Sequence, residues 1–500
     1  MAALAAEPEG LLAAGLVERA EGAGAMVHVA RSEARAARLA RAAAALAPGL
    51  AVLHLPGWDC LPYDRASPSR QSMGGRMAVL RALAERGDRP VLLIAGIEAV
   101  TQRLPPPGSL DALTLRRGEP LDIPALEAAL ERLGYTLDER VDEPGEAALH
   151  GSVLDVYPPG GETLPCRVEH EEGRIASIRH YDPLTQRSLE DEVESVTLGP
   201  ASEVVWPEGS DERHAPGLEH SLAEIHPDLV TPFSLLSGAP VSLDPEVGEL
   251  RPQRWEEVTD AHRARITLAP LEEGARRPSD PALLYLDEDG WKAAMEGREV
   301  TALEEPPEEP EGTTPRFIEA EEPEEAFLSF LEERVAGGGR VALAGRESRR
   351  GRALSRLVRE RLGWEVERFA DWAALRAAAP GRFGTLDGML EAGFETEGIA
   401  VIAPGDVRRA SARKREAERQ AALGLMGTAL QPGDAVIHLD HGLGALRGVE
   451  TVEAGEAALD TLVLEYAGGA KQLVPLDEMD RLWRYGAEAE GVSLDHLGGE

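Results

Sequence analysis

The sequence predicts a multidomain α/β protein: a parallel sheet, an α+β domain, a second small α/β domain, and a small, strongly bent antiparallel β-barrel at the C-terminal end. Three observations carry the prediction. From Met26 to about Pro107, short apolar runs alternate with amphipathic helical stretches, the order that builds a parallel sheet with helices on its faces. Between Leu137 and Leu198 the apolar residues recur at period two with Gly and Pro punctuation, as in hairpins. From Gln431 to Glu500, apolar runs such as Val436-Ile437, Leu462-Val463-Leu464 and Leu473-Val474-Pro475-Leu476 are spaced by glycine turns, which describes a barrel and not a helix bundle.

The elements follow in order. Val27-His28-Val29 reads as a strand, Glu33 to Leu46 as a helix, Ala51 to Leu55 as a strand, Gly74 to Arg86 as a helix, and Val91 to Ala95 as a buried strand. Asp122 to Gly134 is one more helix, and the hairpin strands are Ser152–Pro158, Cys166–Glu169, Ile175–Arg179 and Glu194–Leu198. Ala239–Asp244 and Leu283–Asp287 read as further buried strands. Glu304-Glu305-Pro306-Pro307-Glu308-Glu309-Pro310-Glu311-Gly312 is a linker whose prolines lack donors and whose glutamates repel, so the domains on either side are expected to move independently. After it, Arg340–Ala344, the helix Ser348 to Leu362, Phe383–Leu386 and Gly398–Ile402 make a small α/β domain, and Ser411 to Gly424 is a solvated helix.

Charge restricts the partners. With 89 acidic against 52 basic residues in 500, the formal net charge is −37, which repels phosphate at long range and favours protein partners over DNA. Cys60 and Cys166 are the only cysteines and fit no metal spacing, so they are expected as reduced thiols in a cytoplasmic protein. No stretch reaches the ~18 apolar residues of a membrane span, and no membrane partner is expected.

No P-loop occurs: nowhere does a glycine-rich turn lead to Lys followed by Ser or Thr. Gly22-Ala23-Gly24-Ala25 precedes a strand instead of following one and reads as a turn. Leu283-Leu284-Tyr285-Leu286-Asp287-Glu288 looks like a Walker B strand, but without a phosphate cradle it reads as a strand end and an acidic turn. His438 and His441 lack a third ligand, and on a strand they would point to opposite faces, so they are read as fold determinants and not metal ligands.

Two segments resemble a known family. His438-Leu439-Asp440-His441-Gly442-Leu443-Gly444, Val452-Glu453-Ala454-Gly455 and Ala470-Lys471-Gln472-Leu473-Val474-Pro475 look like the RNA-polymerase-interacting domain of bacterial transcription-repair coupling factors. Leu55-Pro56-Gly57-Trp58-Asp59-Cys60-Leu61-Pro62-Tyr63-Asp64, with Ser67-Pro68 and Arg76, is similar to the start of their UvrB-like module. The resemblance covers essentially the whole chain and implies these parts: a helicase-like sheet at 1–120 and 206–300, interrupted by an inserted UvrA-binding domain at 121–205; the acidic linker at 301–318; the spacer domain at 319–410; a connecting helix at 411–428; and a Tudor/CarD-like barrel at 429–495. It also implies a UvrB-like module without ATPase activity, and an end near residue 500 where the family continues into a RecG-like motor.

The resemblance names two surfaces. The contact with the polymerase β subunit falls at Val452, with Thr451 beside it and Leu462 and Leu464 on the adjacent strand Thr461 to Tyr466. A bent barrel of this kind offers an open edge strand to its partner. The contact with UvrA matches Arg167, with another basic position occupied by His150 and an apolar one by Glu171; Arg179 and Arg187 extend the positive face. The resulting expectation is an adaptor that binds RNA polymerase stalled at damage and recruits UvrA. It would hold no cofactor of its own, with ATP, Mg²⁺ and most DNA contact belonging to the family's motor. The alternatives are a degenerate helicase-like DNA enzyme and a standalone polymerase-binding regulator.

Overall fold

The computed structural model describes residues 4–64, 66–107, 112–160, 163–183, 185–206, 214–268, 278–307, 311–408, 435–438, 441–454, 457–475 and 482–486. Residues 1–409 form one compact unit and residues 410–500 a second.

The first unit opens with a helix that the sequence reading did not anticipate, α1 (Glu9–Ala23), whose Leu12, Ala13, Leu16, Val17 and Ala20 are buried at helical spacing. Gly24 closes it at φ 78°, the left-handed cap that the Gly-Ala-Gly turn supplies. Then come β1 (Ala25–Ala30), α2 (Glu33–Leu46), β2 (Ala51–Leu55), α3 (Arg70–Glu85), β3 (Val91–Gly96) and the short α4 (Ile97–Val100). Ser32 and Ser69 start α2 and α3 by accepting the backbone N–H of Arg35 and Ser72. Every residue of β3 is buried, which is why its apolar run shows no alternation.

Next comes a hairpin-rich region. Its outermost strands, β4 (Leu113–Arg116) and β11 (Ser195–Leu198), pair antiparallel and so bring its two ends together. Between them lie α5 (Ile123–Arg132), capped by Asp122, and β5 (Thr136–Leu137), β6 (Glu146–His150), β7 (Val153–Val156), β8 (Cys166–Glu171), β9 (Arg174–Tyr181) and β10 (Ser188–Glu192). The six-stranded sheet runs in the order β10-β9-β8-β7-β6-β5, antiparallel except for β5 with β6. Leu154, Val156, Cys166, Val168, Ile175 and Ile178 pack with Leu126 and Leu130 of α5 in the core.

The chain then returns to the first sheet through α6 (Leu222–Ile225), β12 (Val241–Leu243), α7 (Val247–Leu268), α8 (Pro281–Leu284), α9 (Glu288–Met295) and β13 (Val300–Ala302). The sheet order is β13-β12-β1-β3-β2, all parallel, so the hairpin region does interrupt a sheet that resumes after it. One expected strand is corrected: Leu283–Asp287 is not a buried strand, since α8 ends at Leu284 and Leu283 is 57 % exposed. Asp280 followed by Pro281 is a helix start, with the Asp280 carboxylate accepting the Ala282 N–H, and it outweighs the apolar run. Asp287 caps α9 by accepting the Gly290 N–H at 2.7 Å, which is what the Walker-B-like carboxylate does here. The fifth strand of the sheet is β13, which lies beyond the expected one.

The expected independence of the domains flanking 304–312 is also corrected. After that stretch, α10 (Pro323–Ala336), β14 (Arg340–Leu343), α11 (Arg349–Leu362), β15 (Glu367–Arg368), α12 (Trp372–Ala377), β16 (Phe383–Thr385), β17 (Phe394–Thr396), β18 (Ile399–Ile402) and α13 (Pro404–Val407) make a second α/β layer with sheet order β15-β16-β14-β18-β17. Its Trp372, Leu375, Phe394 and Val401 share one core with Leu12 and Leu16 of α1, Leu39 of α2, and Met26 and Ile94 of the first sheet. The Trp372 indole N–H donates to Glu18 at 2.8 Å, and Gly10 lies where a Cβ would meet the Phe394 ring at 2.5 Å. Helix α1 is the reason: its apolar face needs two partners, and charge in the linker does not offset that burial.

The second unit holds β19 (Ala435–His438), β20 (Gly442–Ala454), β21 (Ala457–Glu465), β22 (Lys471–Pro475) and β23 (Leu482–Gly486), antiparallel in the order β22-β21-β20-β19-β23. A register shift between Leu446 and Gly448, with Gly448 at φ 147°, makes the bulge that bends β20. Among the described residues no ladder joins β22 to β23, so the pairing shown is an open five-stranded sheet. The connecting helix expected at 411–428 lies outside the described residues.

Candidate partner-binding surfaces

In the hairpin sheet the register places four charges in one row. Asp155 of β7 lies opposite Arg167 of β8, Arg167 opposite Arg179 of β9, and Arg179 opposite Glu192 of β10. Because strand partners in register project to the same face, Arg167 and Arg179 are direct neighbours, as the sequence reading required of a positive face. His150 is on that face too, since Ala148, two residues before it on β6, is the partner of Asp155.

The cations are not idle. Arg167 Nε and Nη2 donate to Asp155 Oδ1 and Oδ2 at 2.8 and 2.7 Å, a bidentate pair, and the guanidinium stands 5.1 Å from the Tyr181 ring centroid. That hydrogen bonding to Asp155, more than its partial burial opposes it, holds the Arg167 pKa above the ordinary value. Arg179 and Arg117 both donate to Glu192. The His150 ring bonds to the Glu139 carbonyl at 2.8 Å, which fixes it in place. Arg187 is exposed in the β9–β10 turn and has no ion pair among the described residues. Glu171 ends β8 opposite Arg174, past a register shift at Glu169/His170, and so stands away from the charge row. Asp155, Glu192 and Arg117 are members of the network that sequence reasoning missed; only cross-strand register reveals them.

The other surface is built from backbone. β20 runs for 13 residues and β21 for 9, but β19 pairs with β20 only as far as Ala445 and β22 pairs with β21 only over Thr461–Glu465. The pairs Thr451↔Asp460, Val452↔Leu459 and Ala454↔Ala457 therefore belong to a two-stranded ribbon with no described strand on either outer edge. Thr451 and Val452 are on that ribbon. Leu462 and Leu464 are not contact residues: both are fully buried in the core with Val436, Leu446, Tyr466 and Val474. Apolar composition alone could not separate an inward strand position from an outward one.

His438 and His441 also depart from expectation. The strand ends at His438, the His441 N–H bonds back to the His438 carbonyl at 3.2 Å, and the rings lie 4.5 Å apart instead of on opposite faces. Among the described residues no His, Cys, Asp and Glu group could hold a metal. Burial raises the thiol pKa of both cysteines, that of Cys166 to about 11, so neither is poised as a nucleophile.

The Trp58–Asp64 segment binds the two halves of the interrupted sheet module. Glu203, fully buried, accepts from Trp58 Nε1 and Arg76 Nε at 2.6 Å each, while Tyr63 Oη donates to the Ser279 carbonyl at 3.0 Å. His220 accepts the Tyr63 N–H on Nδ1, faces the Ala66 carbonyl through Nε2, and packs edge-on to Trp58; burial lowers its pKa to about 4.

Comparison with known proteins agrees with this division. A family model described as the UvrB interaction domain matches residues 113–204, from β4 past β11. Another, described as the CarD-like/TRCF RID domain, matches residues 430–486. Transcription-repair-coupling factors align along nearly the whole chain: that of Escherichia coli K12 is 29 % identical over 90 % of it, that of Myxococcus xanthus 29 % over 89 %, and that of Bacillus subtilis 25 % over 90 %. The chain spans 42 % of the length of each of these relatives. Matches to a UvrB interaction domain and then to a CarD-like/TRCF RID domain, within an alignment of this extent, make the chain similar to the transcription-repair coupling factors over the N-terminal portion of their length.

Proposed function

We propose that this chain is the adaptor portion of a transcription-repair coupling factor, acting in the cytoplasm to bind the RNA polymerase β subunit through the β20–β21 ribbon and UvrA through the charged face of the hairpin sheet. The observation that carries the reading is the co-occurrence, in one chain, of a match to the UvrB interaction domain with a cross-strand charge row and a match to the CarD-like/TRCF RID domain with a ribbon whose outer edges no described strand occupies. Unpaired backbone groups on such an edge supply affinity for an extended segment of the partner, and alternate side chains supply specificity. We assign no chemistry to the chain, because its sequence holds no glycine cradle with a following Lys for β- and γ-phosphates.

Two measurements test the reading. Immobilised chain should retain RNA polymerase β subunit and UvrA as separable partners, and failure to retain either removes the corresponding surface. ATP hydrolysis should stay at background. Stimulated hydrolysis abolished by Asp287→Asn, a change that keeps a competent helix cap, would replace the adaptor with an enzyme.

A further inference from the structure

The proposed function leaves one feature of the first unit unused. Between α11 and the edge strand β15 lies a cavity of about 670 Å³, lined by Arg346, Arg352, Ser355, Arg356, Arg359 and Arg368, together with Glu347, Val366, Glu367 and Thr385. In a chain of net charge −37, five arginines converge on one concavity against two glutamates. Arg352, Arg356 and Arg359 stand at i, i+4 and i+7, so they form one stripe along the helix roughly 10 Å long.

The arginines differ in their partners. Arg346 reaches Glu347 at 3.1 Å and Asp387 at 3.5 Å, Arg368 is paired with Asp387, and Arg352 is 3.6 Å from Glu347. Arg356 and Arg359 have no carboxylate partner among the described residues, in a protein with an excess of carboxylates. The hydroxyl of Ser355, on the same helix, is a second, independent sign. Ser355 is 5 % exposed, it lines the cavity, and its Oγ has no hydrogen-bond partner. A buried hydroxyl left unsatisfied is unfavourable unless something fills its hydrogen bond.

The position in the sheet points the same way. β14, β15 and β16 are parallel, and Arg346, Arg368 and Thr385 lie just after or at their carboxyl ends. That edge is where open α/β sheets hold their ligands. We propose that this cavity binds a small phosphate-bearing anion of nucleotide size, with Arg356 and Arg359 clasping phosphate oxygens and the Ser355 hydroxyl donating a hydrogen bond. Forked guanidinium groups suit phosphate geometry, and the volume is that of a mononucleotide site. A long nucleic acid is disfavoured by two observations: the lining contains no aromatic side chain for bases to stack on, and the field of the whole chain opposes an extended polyanion.

The experiment is isothermal titration of the full chain at low salt with inorganic pyrophosphate, with ADP, and with a short single-stranded DNA. Pyrophosphate and ADP should bind. Arg356→Gln combined with Arg359→Gln should weaken both by roughly tenfold or more, and Ser355→Ala by about threefold. Arg263→Gln, at an exposed position of α7 outside the cavity lining, removes one positive charge and should leave binding unaltered. No heat with either small probe at millimolar concentration, or equal affinity in the double variant with an unchanged circular dichroism spectrum, overturns the proposal. DNA binding tighter than ADP, and lost in the same double variant, overturns the ligand class in favour of nucleic acid.

Discussion

The hairpin sheet and the β20–β21 ribbon present opposite kinds of surface. On the hairpin sheet the row Asp155, Arg167, Arg179, Glu192 is electrically closed, each arginine answered by a carboxylate one strand away. On the ribbon the groups on offer are backbone, since no described strand pairs with the outer edges beyond Ala445 and Thr461. A partner on the sheet must exchange one set of charge pairs for another, whereas a partner on the ribbon adds backbone hydrogen bonds along an edge that no described strand occupies. The first surface suits orientation and discrimination, and the second suits affinity.

The largest expected effect is on the ribbon. Val452→Arg introduces a charge where an added strand would lie, and an unpaired charge buried in an interface costs several kcal/mol, so retention of the polymerase β subunit should fall by roughly 100-fold or more. Thermal unfolding of residues 435–486 should be unchanged, because strand pairing at Val452↔Leu459 needs no particular side chain. Undiminished retention by the folded variant would move the polymerase surface elsewhere.

Acid separates the two units next. His220 is buried in the first, and its Nδ1 accepts the Tyr63 N–H, so a proton on that nitrogen would face another donor. Its folded pKa of about 4, below the ordinary 6.5, means the unfolded chain takes up the proton first. The stabilisation is therefore complete above about pH 6.5, shrinks as the pH falls and is lost by about pH 4, an effect of about 3 kcal/mol. His220→Gln should flatten the slope of stability against pH over that interval. An identical slope in the variant would assign the acid response to other groups, among them Glu219, whose burial raises its pKa and acts in the opposite sense.

Arg167→Ala comes third. Asp155 is 7 % exposed, and truncating Arg167 strips its carboxylate of both charge-assisted bonds, which should destabilise the hairpin sheet by about 2 to 3 kcal/mol in urea unfolding. Asp155→Asn in the same chain should recover part of the loss. Additive losses in the double variant would show that the pair is not coupled.

Much of this was legible in sequence, and the misses have physical causes. β1, β2, β3 and the hairpin strands β7, β8, β9 and β11 follow from apolar period, whereas β4, β5, β6 and β10 do not, and the return of β12 to the first sheet follows from the family resemblance. At Leu283 the apolar run was read as a strand although Asp280-Pro281 had already set a helix start, a local signal that overrides composition. The linker misled because charge repulsion was weighed without α1, whose apolar face joins the two sheets. At the candidate surfaces the sequence could name Arg167 and Val452, but it could not say that Arg167 already holds Asp155 or that Leu462 and Leu464 face inward. Those facts depend on register, which is a property of strand pairs.

The smallest expected effect on stability gives the cleanest test of the comparison. Arg179 is the in-register neighbour of Arg167, but its pair with Glu192 is at the surface, with side chains 38 % and 34 % exposed, and Glu192 keeps Arg117 at 3.1 Å if Arg179 is removed. Screened pairs of this kind contribute at most about 1 kcal/mol, so Arg179→Ala should leave unfolding almost unchanged. If UvrA docks on this face, the same substitution removes a cation that desolvation at the interface would have strengthened, and binding should weaken by roughly tenfold. Arg167→Ala cannot separate the two roles because it alters the fold and the surface together. Loss of UvrA binding in Arg179→Ala with intact unfolding places the contact on the charge row. Intact binding in that variant, with loss in Arg167→Ala alone, shows that the row holds the sheet together and that UvrA docks elsewhere.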